Sequence, residues 1–171
     1  MKLEDKIENP EQLFGPETII IEKKKNEYIL AANKVEKYIY YVISGSIASF
    51  IEKDGEEHCI GFHTKGNFFS DYTSFLDQTK GEGYSRVLQN CRLAAVHYNT
   101  LQEAYKLSAA HERKGRLISE QLYKNISKRS NNLLLLNAEE RYLNFLKERP
   151  EDVLEVPLKY IASYLGMTPV S

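Results

Sequence analysis

Two cysteines and four histidines have the strongest metal-binding or nucleophilic chemistry in this sequence. Cys59 and Cys91 are far apart, each in a strand-like run, and their spacing fits neither a metal site nor a disulfide framework, so we expect buried free thiols. The sequence has no paired-histidine metal motif, glycine-rich phosphate loop or nucleophile elbow. We therefore predict a protein that is not an enzyme and holds no metal. The dispersed histidines are His58, His63, His97 and His111.

The last fifteen residues carry the pattern of a DNA-reading element. Gly166 can supply the positive φ that ends a helix, and Thr168 then caps a second helix with Pro169 at its first position. Two helices joined by a short glycine turn form a helix-turn-helix, whose second helix enters the major groove. We predict that Thr168 and Ser171 belong to the DNA-binding surface; an ordinary helical hairpin is the alternative. The preceding helix has an apolar face of Leu158, Ile161, Ala162 and Leu165.

Charge is unevenly distributed along the chain. The formal net charge is −1, but the positive surplus lies in residues 111–149, while the residues on either side are net negative. A basic bias on a long helix is typical of a solvated face, and the terminal segment offers few cations to displace counterions from DNA. No apolar run is long enough to span a membrane, and the N-terminus lacks a signal-peptide core, so we expect a cytoplasmic protein without a membrane partner.

The first hundred residues predict an antiparallel β-barrel or jelly roll. Short β-branched and aromatic runs alternate with turn signals, and Asp54-Gly55 between two such runs indicates a hairpin. We expect Ser44-Gly45-Ser46 to separate two strands, and the residues after Phe68-Phe69 to form a polar, irregular segment. The predicted strands are 18–21, 28–31, 38–43, 47–51, 58–62 and 91–98.

From residue 100 the apolar period becomes helical. Thr100 and Glu103 predict a capping box at a helix start, and a long helix follows over about 109–136. Because a small barrel cannot cover so long a helix, we predict that its apolar stripe pairs with a second copy in a homodimer; the alternative is packing along its own barrel. A short helix over 138–147 comes next, closed by Pro150. The predicted stripe is Ile118, Leu122, Ile126, Arg129, Leu133 and Leu136.

This order of elements resembles the Crp/Fnr family of bacterial transcription regulators from about Glu17 to Ser171. Residues 40–47 are similar to the family's strand-Gly-Ser-strand element, and residues 161–168 are similar to its helix-turn-helix core. The resemblance implies an α+β fold with an antiparallel β-barrel or jelly roll like those that bind cyclic nucleotides. It divides the chain into an effector-sensing barrel at 1–108, a dimerisation helix at 109–137, and a partial winged-helix domain at 138–171 without its recognition helix and wing.

The resemblance also implies an effector pocket. Family members that bind cyclic nucleotide carry a Gly-Glu pair for the ribose and an Arg-Ser or Arg-Thr pair for the phosphate; the corresponding positions here are Ser70-Asp71 and Gly81-Glu82. The phosphate cation is missing, Glu82 would repel an anion, and Arg86 could face the other side of its strand. We expect no cyclic nucleotide binding, although Asp71 could accept from a hydroxyl of another ligand. The predicted pocket residues are Phe69, Ser70, Asp71, Tyr72, Gly81, Glu82, Tyr84 and Arg86.

Other cofactors of the family also lack their residues here. The iron–sulfur branch needs four cysteine ligands, and haem needs an axial ligand that the unclustered histidines do not suggest. The implied function is transcription regulation by a homodimer that binds DNA in its full-length form and responds to an unidentified small molecule or to none. The alternative is a stand-alone sensor or dimerisation module without DNA activity.

Overall fold

The computed structural model describes Asn9, Gly15 and residues 17–167, and shows an antiparallel sheet followed by a helical C-terminal half. The predicted α+β class is confirmed. The strands are β1 (Ile19–Lys23), β2 (Tyr28–Leu30), β3 (Tyr38–Lys53), β4 (Glu56–His63), β5 (Phe68–Phe69) and β6 (Tyr84–His97). The helices are α1 (Tyr72–Asp77), α2 (Tyr98–Leu107), α3 (Ala109–Leu135), α4 (Ala138–Glu148), α5 (Asp152–Glu155) and α6 (Leu158–Tyr164).

Two long strands, β3 and β6, form the centre of the sheet. They pair antiparallel from Tyr38 opposite His97 to Phe50 opposite Tyr84. The strand order is β1-β6-β3-β4, with β2 also on β6 and β5 also on β3. β6 begins seven residues before the predicted start at Cys91, because the added stretch contains polar residues that do not match a simple apolar strand pattern.

The predicted break at Ser44-Gly45-Ser46 is a bulge inside the continuous strand β3. Pairing with β6 shifts register on both sides of Gly45, whose φ is +82°. A Cβ atom at Gly45 would lie 2.3 Å from the Asn90 carbonyl oxygen and 2.7 Å from the Cys91 Cα atom. Glycine is therefore required both for its backbone conformation and for the close passage of β6.

The turn between β3 and β4 is the predicted hairpin. Asp54 and Gly55 both have positive φ, +55° and +81°. This is the geometry of a type I′ turn, whose twist matches that of the flanking strands. The Asp54-Gly55 prediction is confirmed.

The helix starts differ from prediction in one respect. α2 begins at Tyr98, and its N-cap is His97, whose Nδ1 accepts from the Asn99 amide at 3.2 Å. The predicted capping box at Thr100 and Glu103 is therefore wrong, since both residues lie inside the helix.

A capping box does form at the start of α4. The Asn137 side chain accepts from the Glu140 amide at 3.0 Å, and the Glu140 carboxylate accepts from the Asn137 amide at 2.9 Å. Asn137 therefore separates α3 from α4, as the sequence predicted.

Three apolar clusters form the core. The inner cluster comes from strands alone: Tyr40, Val42, Ile47, Phe69, Val87, Cys91, Leu93 and Ala95. The helix-side cluster packs the alternate strand residues against the helices: Ile39, Tyr41, Phe68, Phe75, Ala94, Val96, Leu101 and Ile118. The C-terminal cluster packs the sheet against α4–α6: Ala48, Phe50, Cys59, Phe62, Tyr84, Leu88, Phe145, Val156, Ile161 and Leu165. Within residues 17–167, no helix is long and apolar enough to cross a membrane.

Replacing Gly45 tests the requirement for glycine at the bulge. We expect Gly45→Ala to lower the free energy of unfolding by about 2–4 kcal/mol, because backbone strain and the contact with β6 add. Gly55→Ala is the matched control: Gly55 has the same positive φ but nothing within 4 Å of an added Cβ, so we expect a loss of only about 1 kcal/mol. Urea denaturation measures both variants, and equal losses would contradict the close passage at Gly45.

Candidate functional site

Three of the predicted pocket residues belong to different apolar clusters. Phe69 lies in the inner cluster, stacked on Tyr40 and His63 with ring centroids 4.9 and 4.6 Å apart. Tyr72 packs against the helix-side cluster, with its hydroxyl 2.5 Å from that of Ser119 on α3. Tyr84 lies in the C-terminal cluster.

Ser70, Asp71 and Gly81 lie around the N-terminus of α1. Asp71 is the N-cap of α1, and its Oδ1 accepts from the Ser74 amide at 3.3 Å. A Cβ atom at Gly81 would lie 1.9 Å from the Asp71 Oδ2 atom. The Ser70 hydroxyl donates to the Tyr38 carbonyl at 2.9 Å. A side chain at position 81 therefore requires the Asp71 carboxylate to move from its observed position.

The two other charged pocket candidates, Glu82 and Arg86, lie away from Asp71. Glu82 is exposed. Arg86 makes a bidentate pair with Glu57 at 2.9 and 3.0 Å, and its Nη2 atom also donates to the Tyr160 hydroxyl of α6 at 2.9 Å. Its guanidinium lies 4.9 Å from the centre of the Phe50 ring in the C-terminal cluster. Arg86 therefore faces α6, on the opposite side of β6 from the inner cluster.

The sheet face that carries the inner cluster also holds an uncharged polar trio that sequence reasoning missed. The Ser49 hydroxyl lies 3.1 Å from His63 Nε2 and 3.0 Å from the Ser85 hydroxyl. Burial, and secondarily the charge of Arg149, lower the pKa of His63 to about 3, so the imidazole is neutral at physiological pH. Serines and a single histidine on strands have no distinctive spacing in the sequence. The trio can therefore be recognised only from the pairing of the strands that carry it.

A buried carboxyl, Glu36, was also missed, and it lies beside α1. Glu36 is 2% exposed; its Oε1 accepts from the Tyr38 amide at 3.0 Å and from the Tyr40 hydroxyl at 3.1 Å. Its own amide donates to the Ser74 hydroxyl at 2.9 Å. Burial raises the pKa of the Glu36 carboxyl to about 7, although its hydrogen bonds with Tyr38 and Tyr40 oppose the rise.

The C-terminal segment, defined as residues 145–167, is docked on the sheet by polar contacts around the C-terminal cluster. The Thr64 hydroxyl donates to the Asp152 carboxylate at 2.7 Å, and the Cys59 amide donates to the Ser163 hydroxyl at 2.9 Å. The Arg149 guanidinium lies 4.4 Å from the centre of the Phe62 ring. These contacts join α5 and α6 to β4 and to the loop after it.

The predicted stripe on α3 is divided between the chain's own core and solvent. Ile118 is 1% exposed in the helix-side cluster, and Leu122 packs against the same cluster. Arg129 donates to the Tyr164 carbonyl at 3.1 Å, and the Leu133 Cδ2 atom would lie 3.0 Å from a Cβ at Gly166. Ile126 is 67% exposed. The first half of the helix thus follows the alternative prediction, packing along its own barrel.

The structure contains the helix and the glycine turn that the sequence predicted near the C-terminal end of the described residues. α6 ends before Gly166, whose φ is +64°. Ile161 and Leu165 are buried, but Leu158, predicted on the same apolar face, is 63% exposed because it begins the helix at the protein surface. Thr168, Pro169 and Ser171 lie outside the described residues.

Both cysteines are free and buried, as predicted. Within the described part of the chain, no group of three or more His, Cys, Asp or Glu side chains could hold a metal ion. Cys59 lies in the C-terminal cluster beneath α6, whereas Cys91 lies in the inner cluster. The two thiols therefore sit in separate parts of the core.

Substitution of Glu36 tests its raised pKa. Because the folded-state pKa lies above the unfolded value, the protonated carboxyl favours folding at low pH, and that stability is lost as the pH rises towards 7. We expect Glu36→Gln to match the parent protein near pH 4.5 and to exceed it at pH 8 by roughly 1–3 kcal/mol. Urea denaturation at both pH values measures the free energy of unfolding of the variant and the parent. The other titrating groups are common to both proteins, so their contributions cancel in the difference. A difference independent of pH would contradict the raised pKa.

Comparison with known proteins places this geometry in a family. Residues 20–107 match the cyclic nucleotide-binding domain family. CRP-like protein Clp from Xanthomonas campestris is 32% identical over 71 residues, which are 41% of this chain and 31% of Clp. The match thus spans about a third of the length of the curated relatives.

Two solved structures extend the similarity along the chain. FixK2 from Bradyrhizobium japonicum superposes with a TM-score of 0.76 at 20% identity, covering 88% of this chain and 78% of FixK2. The regulator CLP from Xanthomonas campestris, described as responsive to c-di-GMP, gives a TM-score of 0.66 at 25% identity, covering 82% and 72%. With the domain match, the strand-Gly-Ser-strand bulge and the long helix after the barrel, these similarities show that the chain belongs to the Crp/Fnr family, with a cyclic nucleotide-binding domain at residues 20–107.

Proposed function

We propose that this chain contains the sensor barrel, the long helix and a DNA-binding segment of a transcription regulator whose barrel does not recognise a cyclic phosphate. The observation that carries the proposal is the contact between Asp71 and position 81, where a Cβ would lie 1.9 Å from Asp71 Oδ2. In nucleotide-binding relatives, as the family resemblance implies, an arginine stands at this position. Here the carboxylate of a helix cap occupies the space beside it.

The charges around the predicted pocket support this proposal. A buried phosphate needs a bidentate guanidinium or several aimed N–H groups. Arg86 is paired with Glu57 and faces α6, and Glu82 is exposed to solvent. The polar groups on the inner-cluster face, Ser49, His63 and Ser85, are uncharged. These hydroxyl and imidazole groups suit a neutral effector better than an anion.

Thermal unfolding with nucleotides tests the proposal. We expect 1 mM cyclic AMP, cyclic GMP or c-di-GMP, to which CLP is described as responsive, to leave the melting temperature unchanged. A ligand at a hundred times its Kd would stabilise the fold by about 2.7 kcal/mol, which is several degrees in a chain of this size. ATP at the same concentration controls for nonspecific anion effects. A rise of several degrees with a cyclic nucleotide, but not with ATP, would overturn the proposal.

We further propose that the DNA-binding surface includes Thr168 and Ser171. α6 would then be the first helix of a helix-turn-helix, with its polar surface open and Ile161 and Leu165 buried against the sheet. A stand-alone sensor or dimerisation module remains the second candidate, and its support is the shortage of positive charge in residues 150–171. The domain bounds 1–108, 109–137 and 138–171 and a cytoplasmic location belong to the same proposal.

A homodimer through the exposed side of α3 completes the proposal. Tyr123, Ile126 and Leu134 are 72%, 67% and 78% exposed and follow one another at helical spacing. Apolar side chains in a stripe of this kind are typical of a helix that pairs with another helix. Leu122, Arg129 and Leu133 contact this chain's own core or C-terminal segment, so the proposed seam is shifted from the stripe read from sequence.

Charged substitutions on this seam test the dimer. We expect Ile126→Glu combined with Leu134→Glu to give monomers in sedimentation, because each places a carboxylate in an apolar contact between helices. Leu107→Glu is the matched control, since Leu107 is 85% exposed at the end of α2, away from α3's stripe. A double variant that sediments like the parent dimer would place the seam elsewhere.

A further inference from the structure

The interface between the sheet and α6 contains a polar network. Its residues come from β4 and β6 on one side and from α6 on the other. Arg86 lies between the Glu57 carboxylate of β4, at 2.9 and 3.0 Å, and the Tyr160 hydroxyl of α6, at 2.9 Å. The Tyr84 hydroxyl donates to the same carboxylate. Hydrogen bonds from Arg86 and Tyr84 lower the pKa of Glu57, so the pair stays charged at physiological pH.

Aromatic rings hold this network in place. Phe50 stacks on Tyr84 with ring centroids 5.4 Å apart and meets the edge of Tyr160 at 5.0 Å. The Arg86 guanidinium lies over the same Phe50 ring. Because a planar guanidinium forms a bidentate pair and a ring contact at the same time, its orientation towards Tyr160 is fixed.

Residues of this network are the direct chain neighbours of Ser49 and Ser85, two members of the polar trio on the opposite face of β3 and β6. Ser49 and Ser85 are opposite each other in the register of β3 and β6 and hydrogen-bond at 3.0 Å. Their chain neighbours Phe50, Tyr84 and Arg86 point to the opposite face, since side chains alternate along a strand. A shift of either strand at the inner face therefore also moves the groups that contact α6.

We propose that Glu57, Arg86 and Tyr160 form a latch that holds α6 against the sheet, and that opening of this latch releases the C-terminal segment from the barrel. The latch is the polar part of an interface whose apolar part is the C-terminal cluster. When it opens, α6 leaves the face of β4 and uncovers the side chains beneath it. A role of this release in regulation rests on the proposed function. The release itself depends only on the contacts between α6 and the sheet.

Cys59 is a natural reporter of this opening. Its side chain is 1% exposed in the C-terminal cluster with Ile161 and Leu165, and its amide donates to Ser163 of α6. Cys91, 5% exposed in the inner cluster, is covered by strands and not by α6. Opening of the latch therefore exposes Cys59 while Cys91 stays buried, whereas global unfolding exposes both.

The test is thiol labelling of the 171-residue chain with N-ethylmaleimide in excess, with each cysteine followed separately by peptide mass spectrometry. We expect Tyr160→Phe and Arg86→Met each to increase the labelling rate of Cys59 about tenfold, since each removes a hydrogen bond with a charged partner. The rate at Cys91 stays at the parent value. Neither DNA nor an effector is used, so failure of the proposed function would leave this result unaffected.

Glu22→Gln is the matched control, because it removes the exposed ion pair between Glu22 of β1 and Arg92 of β6. Arg92 lies six residues along β6 from Arg86, away from the contact with Tyr160. We expect parent rates at both cysteines in this variant. Unchanged Cys59 labelling in both latch variants would overturn the latch. An equal rise at Cys59 and Cys91 would also overturn it, since that pattern reports global unfolding.

Discussion

The pairing of β3 with β6 is the interaction on which the rest of this molecule depends. Both faces of these two strands are covered, by the inner cluster on one side and by the helix-side and C-terminal clusters on the other. The bulge at Gly45 makes this possible, because it shifts the alternation of side chains between Val42 and Ile47, which both belong to the inner cluster. Without that shift, one half of β3 would present its apolar side chains to the wrong face.

The sheet built on these two strands also contacts the C-terminal segment. Arginines reinforce that connection at the end of α6, where backbone carbonyls lack helical partners. Arg129 donates to the Tyr164 carbonyl at 3.1 Å, and Arg141 donates to the Leu165 carbonyl at 2.7 Å. Positive charge at a helix C-terminus also opposes the negative end of the helix dipole. The turn at Gly166 is thus held from α3 and α4 as well as from the sheet.

Local patterns predicted the features that depend on neighbouring residues. The Asp54-Gly55 hairpin, the long helix, the Asn137 break and the Gly166 turn were all readable, because turn chemistry and helical period are properties of short segments. The α1 helix was not predicted, since it is only six residues long and owes its start to the cap at Asp71.

Site residues were harder to predict because side-chain direction depends on pairing. Positions aligned through the family resemblance include Asp71 and Gly81, which lie together, whereas Tyr72 packs against the helix-side cluster. Tyr84 and Arg86 lie on the face of β6 that contacts α6. The capping box expected at Thr100 failed because His97, at the end of β6, supplied the cap instead. Buried Glu36 had no sequence signal, since its burial comes from residues far along the chain, such as Ser74.

The approach of Gly81 to Asp71 also has a consequence for how such a barrel can change over evolutionary time. An arginine introduced at position 81 meets the Asp71 carboxylate, and removing that carboxylate first takes away the cap of α1. A substitution at position 81 is therefore coupled to the conformation of Asp71 and, through that cap, to the start of α1. Because each of these two positions constrains the other, we expect positions 71 and 81 to vary together in sequences that keep this loop.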